Sequence, residues 1–155
     1  MMKRIYIYMI GVVLLLAGCD VESSDNGHLD GFWQMTSRND ILSSTMTGTD
    51  MRDSGITWAF QGKILELRDV KSVHQDIIAS FERRGDTLKV SRFYFVDREK
   101  GDRLIETPED VASYLLPYGI YGAGEQSYLI RELTSGRMVL VSSDFKSWQL
   151  EFRKY

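Results

Sequence analysis

From Leu29 onward, apolar and polar residues alternate in short runs separated by turn formers. That is the pattern of half-buried strands. Gly31 to Ser37 opens the series, with Trp33 and Met35 on one face. Ile56, Trp58 and Phe60 share a face of a second run, which Gly62 ends, and Lys63 to Asp69 follows as a third. Ile77 to Arg84 groups Ile77, Ala79 and Phe81; Gly85-Asp86 then predicts a tight turn into Thr87 to Asp97. On this longest run strict alternation puts Leu88, Val90, Tyr94 and Val96 on one face and Phe93 and Phe95 on the other. Both faces are then partly covered, or one lines a cavity. Ser127 to Leu133, Arg137 to Ser142 and Trp148 to Lys154 complete the series. The last sets Trp148, Leu150 and Phe152 against Gln149, Glu151 and Arg153.

One segment departs from the period of two. Thr107-Pro108-Glu109-Asp110 offers an N-cap threonine, proline at the first helical position and acids in the first turn. A helix is predicted from there to about Leu116, where Pro117 and Gly119 stop it. The acidic cluster is explained by capping. Arg38 to Gly55 is polar and rich in Ser, Thr and Asp, and predicts a loop. The fold class is therefore mainly β: about eight antiparallel strands joined up-and-down, with one short helix inserted between strands. Closure into a barrel would remove the exposed sheet edges. Eight strands leave an interior that side chains fill or that one small ligand occupies.

The start of the chain has a different character. Lys3 and Arg4 precede an uncharged apolar run, Ile5 to Leu16, and small residues then lead to Cys19. This is the layout of a secretory signal peptide, too short in its apolar part to span a membrane. Leu16-Ala17-Gly18-Cys19 resembles the lipobox of bacterial lipoproteins. The resemblance implies cleavage before Cys19, its acylation, and a membrane partner reached through the lipid. The expected organisation is a signal peptide over 1–18, an acylated cysteine and tether over 19–28, and a barrel over 29–155. The tether, Asp20 to Gly27, is polar and acidic, and resembles the signal that exports some lipoproteins of gut Gram-negative bacteria to the cell surface. The expected location is the cell envelope, at the outer membrane, with the cell surface as one possibility; a solvated linker explains the acids equally well.

Composition narrows the chemistry. The formal charge of -3 falls to about -5 once the two signal cations, Lys3 and Arg4, are removed, and no basic stripe suits a nucleic acid. Cys19 is the single cysteine, so no internal disulfide forms and acylation leaves no thiol for catalysis or metal binding. His28 and His74 are far apart, and no zinc-ligand spacing occurs. Ser142-Ser143-Asp144 has no histidine nearby, and Gly119 to Gly124 lacks a P-loop ending. The carboxylates Glu66, Asp69, Asp97, Glu99, Glu106 and Glu132 are each explained by a solvated strand face or turn. No cofactor, catalytic or metal-binding residue is assigned, and the chain is read as not an enzyme.

Gly31-Phe32-Trp33 looks like the Gly-x-Trp of lipocalins, and Arg153 sits where that superfamily places a cation against the tryptophan. Pro117-Tyr118-Gly119-Ile120, Leu129 to Leu133 and Met138-Val139-Leu140 are similar to lipocalin-like lipoproteins of gut Gram-negative bacteria. The resemblance implies a calycin-type barrel closed by Gly31, Trp33 and Arg153. The helix departs from the pattern by lying in the middle of the strand series. Trp58, Phe93, Phe95, Tyr118 and Tyr121 are the candidate ligand-binding residues, against a plainly filled core. Two functions stay open. One is a lipid-anchored module holding a small apolar or amphipathic ligand; the other is a structural or protein-interaction lipoprotein with a filled barrel and an envelope protein partner. Enzyme inhibition is a third, with no inhibitory loop to mark it.

Overall fold

The computed structural model describes residues 24–40, 48–143 and 148–155. The signal, Cys19 and the first part of the tether lie outside the described residues, as do the middle of the polar loop after Arg38 and residue Asp144. The strands are β1 (Gly31–Asp40), β2 (Gly48–Asp50), β3 (Ile56–Gln61), β4 (Ile64–Asp69), β5 (Ile77–Arg84), β6 (Thr87–Phe95), β7 (Arg103–Leu104), β8 (Gln126–Leu133), β9 (Arg137–Ser142) and β10 (Trp148–Lys154). Eight of these form a closed antiparallel barrel in the order β1-β3-β4-β5-β6-β8-β9-β10, and β10 returns to pair with β1 from Trp33↔Lys154 to Asp40↔Trp148. Short β2 flanks β1 and short β7 flanks β6.

Each barrel strand alternates as its sequence does. Cross-strand partners share a face, so Trp33↔Trp58 and Trp58↔Leu67 form one inward row and Phe60↔Leu65 and Leu65↔Ala79 another. Inside, Trp33, Trp58, Phe60, Phe93, Tyr118, Tyr128 and Phe152 are all fully buried. Trp58 is the hub. Its ring lies 5.2 Å from Phe152, 5.8 Å from Tyr128 and 6.1 Å from Phe60, all tilted or edge-on, as aromatic quadrupoles prefer.

The two ends of the barrel differ. At the turn end β3–β4, β5–β6 and β8–β9 are joined by tight turns, and a 3₁₀ turn, Gly27–Leu29, lies across the opening. That turn is fixed to the barrel at four points: Trp33 Nε1 donates to Leu29 O (2.7 Å), Arg83 Nη1 to Asn26 O (3.0 Å), Lys154 Nζ to His28 O (2.9 Å) and Asn26 Nδ2 to Gly62 O (2.8 Å). Asn26 and His28, read from sequence as tether, thus belong to the plug of the barrel.

The loop end carries the longer connections, including the helical segment. One α turn, Pro108–Asp110, begins where Thr107 Oγ1 accepts from Asp110 N (3.1 Å). It widens into a π turn, Val111–Leu115, and tightens into a 3₁₀ turn, Leu116–Tyr118. Gly119 then turns the chain at φ +80, a left-handed conformation costly for other residues. Leu115, Tyr118 and Ile120 are fully buried, so the segment closes this end with side chains.

Two expectations are corrected. Strict alternation along Thr87 to Asp97 fails because β6 carries a bulge. The β5–β6 register shifts between Ile78↔Tyr94 and Ser80↔Ser91, and Arg92 has φ 55. One extra residue inverts the parity. Phe93 therefore joins Leu88 and Val90 in the core, while Tyr94 shares a row with Ile78 and Leu104 on the outer side. The second correction concerns the cation on Trp33. Lys154, not Arg153, stands over the indole, with Nζ 5.0 Å from the ring centroid. Lys154 is the direct cross-strand partner of Trp33, whereas Arg153 faces the other way and donates from Nε to Gln34 Oε1 (2.9 Å).

Candidate functional site

The loop end holds a shallow, open cleft of about 360 Å³. Arg38 from the end of β1, Met51 and Ser54 after β2, Ile56 of β3 and His74 of the β4–β5 loop line one side; Ala112, Leu116 and Pro117 of the helical segment line the other. Arg38 ties the walls together: its Nη1 donates to Leu116 O (2.9 Å). Its guanidinium carbon lies 5.6 Å from the Trp148 ring centroid, and Trp148 stacks on Tyr121 at 5.0 Å and 16°. A cation, an indole and a phenol are thereby layered beside the opening.

His74 is set by Asp69, a buried carboxylate at the end of β4. Its Oδ1 accepts from Lys71 N (2.8 Å), and its Oδ2 from Val73 N and His74 N (both 3.1 Å). These bonds shape the loop and stand the imidazole 6.4 Å from the Tyr118 ring. Tyr118 O–H donates to Gln75 O (2.8 Å). Burial pushes the Tyr118 hydroxyl above its ordinary range, aided by the negative charges of Asp76 and Asp69. Tyr118 is therefore a fixed neutral donor that pins the β4–β5 loop to the helical segment.

The sequence-predicted aromatics separate into two groups. Trp58, Phe93 and Tyr118 are fully buried and fill the barrel. Trp58 Nε1 donates to Tyr118 O (3.1 Å), so indole and backbone satisfy each other in the core. Phe95 lies under the helical segment, edge-on to Tyr114 at 4.9 Å with Arg103 above its ring at 5.7 Å. Tyr121 is half-buried and reaches the rim through its stack on Trp148. Gly31, at φ +112, has Lys154 Cε only 3.0 Å from where a Cβ would stand, so its lack of a side chain lets the lysine reach Trp33. Sequence reasoning missed Arg38, Met51, Ser54 and Leu116, because polar and apolar liners come from five separate segments with no common period. The Ser and Thr enrichment of the loop after Arg38 was the one available signal.

A second hollow, about 390 Å³, lies against the β1–β2 pair and is lined by Thr36, Ser37, Gly48, Asp50 and Arg52. Arg52 closes on Asp50 there (2.5 Å), and its hydrogen bonds hold the Asp50 carboxyl down at about 2. Among the described residues no cluster of three or more His, Cys, Asp or Glu could hold a metal ion.

A closed, eight-stranded, up-and-down antiparallel barrel with one short helical segment between strands is a lipocalin-type fold. The chain belongs to the lipocalin-like domain family, whose model matches residues 14–155. It is similar to the crystal structure of a lipocalin-like protein from Bacteroides uniformis ATCC 8492, at 15% identity and a TM-score of 0.58, over 83% of this chain and 100% of that one. It is also similar to an uncharacterized protein from Bacteroides eggerthii DSM 20697, at 17% identity and a TM-score of 0.53, over 82% of this chain and 99% of the other. None of the curated proteins with which the chain was compared matches it. Lipocalin-type barrels are characteristically non-catalytic.

Proposed function

We propose that this protein is exported, anchored to the cell envelope through lipid on Cys19, and holds a small amphipathic ligand in the cleft at the loop end of its barrel. The cleft is the observation that carries the reading. Arg38 and His74 supply polar and cationic character at its edge, and Met51, Ile56, Leu116 and Pro117 an apolar floor. Tyr121, on the rim, is the sequence-predicted aromatic best placed to extend it. Trp58, Phe93 and Tyr118 serve from behind by making the floor rigid. Export and anchoring are supported by Lys3, Arg4, the apolar run Ile5 to Leu16 and the Leu-Ala-Gly-Cys ending; two or more acyl chains give stable anchoring. The outer membrane, and with the acidic tether the cell surface, are the proposed locations.

Native mass spectrometry of the mature protein, purified from its own source, tests the ligand. A discrete added mass that leaves on denaturation, and is absent from Arg38→Met, supports it; a bare mass in repeated preparations overturns it. The packed interior favours a second reading, in which the barrel is a solid body that docks an envelope protein. A protein recovered after mild crosslinking only when the cleft rim is intact would support that reading.

A further inference from the structure

The turn end of the barrel carries an exposed apolar patch that the ligand reading does not use. Phe32 is 54% exposed, Ile64 54% and Tyr155 74%. They lie on the outer surface of this end. Tyr155 N donates to Phe32 O (3.0 Å), Phe32 pairs with Ala59, Ala59 pairs with Glu66, and Ile64 lies two residues before Glu66 on the same face of β4. Exposed large apolar side chains grouped on one outer face of a barrel end form a contact surface.

Three observations say what covers it. First, the chain enters the barrel at this end. The Gly27–Leu29 turn is fixed across the opening. Only five residue steps separate Ser24 from Cys19, at most about 18 Å of extended chain. Second, three cations here bond neutral partners, Arg83 on Asn26 O, Arg153 on Gln34 Oε1 and Lys154 on His28 O, and exposed Lys63 lies in the adjoining turn; the acids of this end include Asp30, Asp86 and Glu66, the last paired with Arg68. Third, one loop of the opposite end is acidic: residues 97–110 carry six carboxylates against three cations. An anionic bilayer attracts the first set and repels the second. Phenylalanine and tyrosine also suit the headgroup region.

We infer that the turn end docks on the phospholipid surface to which Cys19 is anchored, with Phe32, Ile64 and Tyr155 at the headgroups and Lys63 and Arg153 on lipid phosphates. The loop-end cleft then faces away from the bilayer. This orientation rests on the anchored reading above, so the test separates the two. Cys19, the one thiol, is coupled in the mature chain to a maleimide phospholipid in nanodiscs of phosphatidylethanolamine and phosphatidylglycerol (3:1) doped with a gadolinium-chelating lipid. Amide signals of residues 32 and 61–64 should broaden at least three-fold more than those of residues 97–106. The difference should vanish in Phe32→Glu/Ile64→Glu, whose outward side chains leave the core untouched, as an unchanged melting curve would verify. Equal broadening at both ends, or a difference that survives the double substitution, overturns the docking surface. Natural acylation is read separately, from the mass of Cys19 in protein taken from its own membranes; an unmodified cysteine there overturns the anchor on which the biological docking depends.

Discussion

At Trp58 three kinds of force meet on one side chain. The indole is fully buried, touches Phe60, Tyr128 and Phe152, and spends its single donor on Tyr118 O. Trp58→Phe keeps an aromatic ring but leaves a buried carbonyl unpaired and a void at the hub; the expected loss is about 3 kcal/mol in urea unfolding followed by circular dichroism. At the turn end the contrast between neighbouring cations is sharper. Lys154→Met removes both the contact over Trp33 and the bond to His28 O, and should cost about 1 kcal/mol. Arg153→Gln removes the charge of an exposed group while keeping an amide donor for buried Gln34 Oε1, and should stay within about 0.5 kcal/mol. The same unfolding curves compare them, and equal losses would remove Lys154 from its closing role. Which cation closes the barrel was legible in the chain itself. Trp148, Leu150 and Phe152 face inward, so the same period of two assigns Lys154 inward and Arg153 outward; a family resemblance fixed on the arginine obscured it.

At the scale of elements, the helical segment is the part whose stability is most local. Its cap is one bond from Asp110 N to Thr107 Oγ1, and Thr107→Ala should cost about 1 kcal/mol, seen as faster amide exchange over residues 108–118. Asp110 also receives two bonds from Arg103 Nη1 and Nη2, at 2.9 and 3.1 Å. The guanidinium holds the Asp110 carboxyl below its ordinary value; burial opposes it, and the Thr107 hydroxyl assists. A carboxyl with a depressed folded-state value contributes stability that is fully present above the unfolded value of about 3.9 and is lost as pH falls through the folded value. Wild type and Asp110→Asn should therefore differ by a constant amount above about pH 4 and converge below it, as measured by unfolding across that range. The barrel strands were readable because their inward rows are unbroken apolar alternations, Ile56-Trp58-Phe60 above all. Three features were not. Bulged β6 changes parity in mid-run at Ser91-Arg92, where no glycine marks it. The end of β1 is polar from Ser37 to Asn39, where it pairs with both β10 and β2 and its side chains are only half-buried. β7 is two exposed residues held by backbone bonding to β6.

Across the whole molecule, closure and filling are coupled. The barrel has no free edge because β10 returns to β1, and its two ends are closed by different means: a turn stapled by cations, and a helical segment that inserts Leu115, Tyr118 and Ile120. The fold class was legible because strand count and turn spacing allow few alternatives. The cleft was not, because it exists only once the helical segment meets the ends of β1 and β3. A filled interior has a consequence at this scale. Wild-type protein should give no thermal shift with benzene, since Trp58, Tyr128 and Phe152 occupy the space such a guest would need. Phe152→Ala removes a ring packed at a tilt against the hub and should cost roughly 3–5 kcal/mol. Because the surrounding walls are large aromatic and aliphatic groups, the void should stay dry and accept an apolar guest. Benzene should then raise the melting temperature of the variant alone. If wild type responds equally, the lumen is hollow enough to bind, and the ligand site belongs inside the barrel. If neither responds while an amphipathic anion stabilises wild type but not Arg38→Met, the walls have collapsed around the missing ring and binding stays with the loop-end cleft.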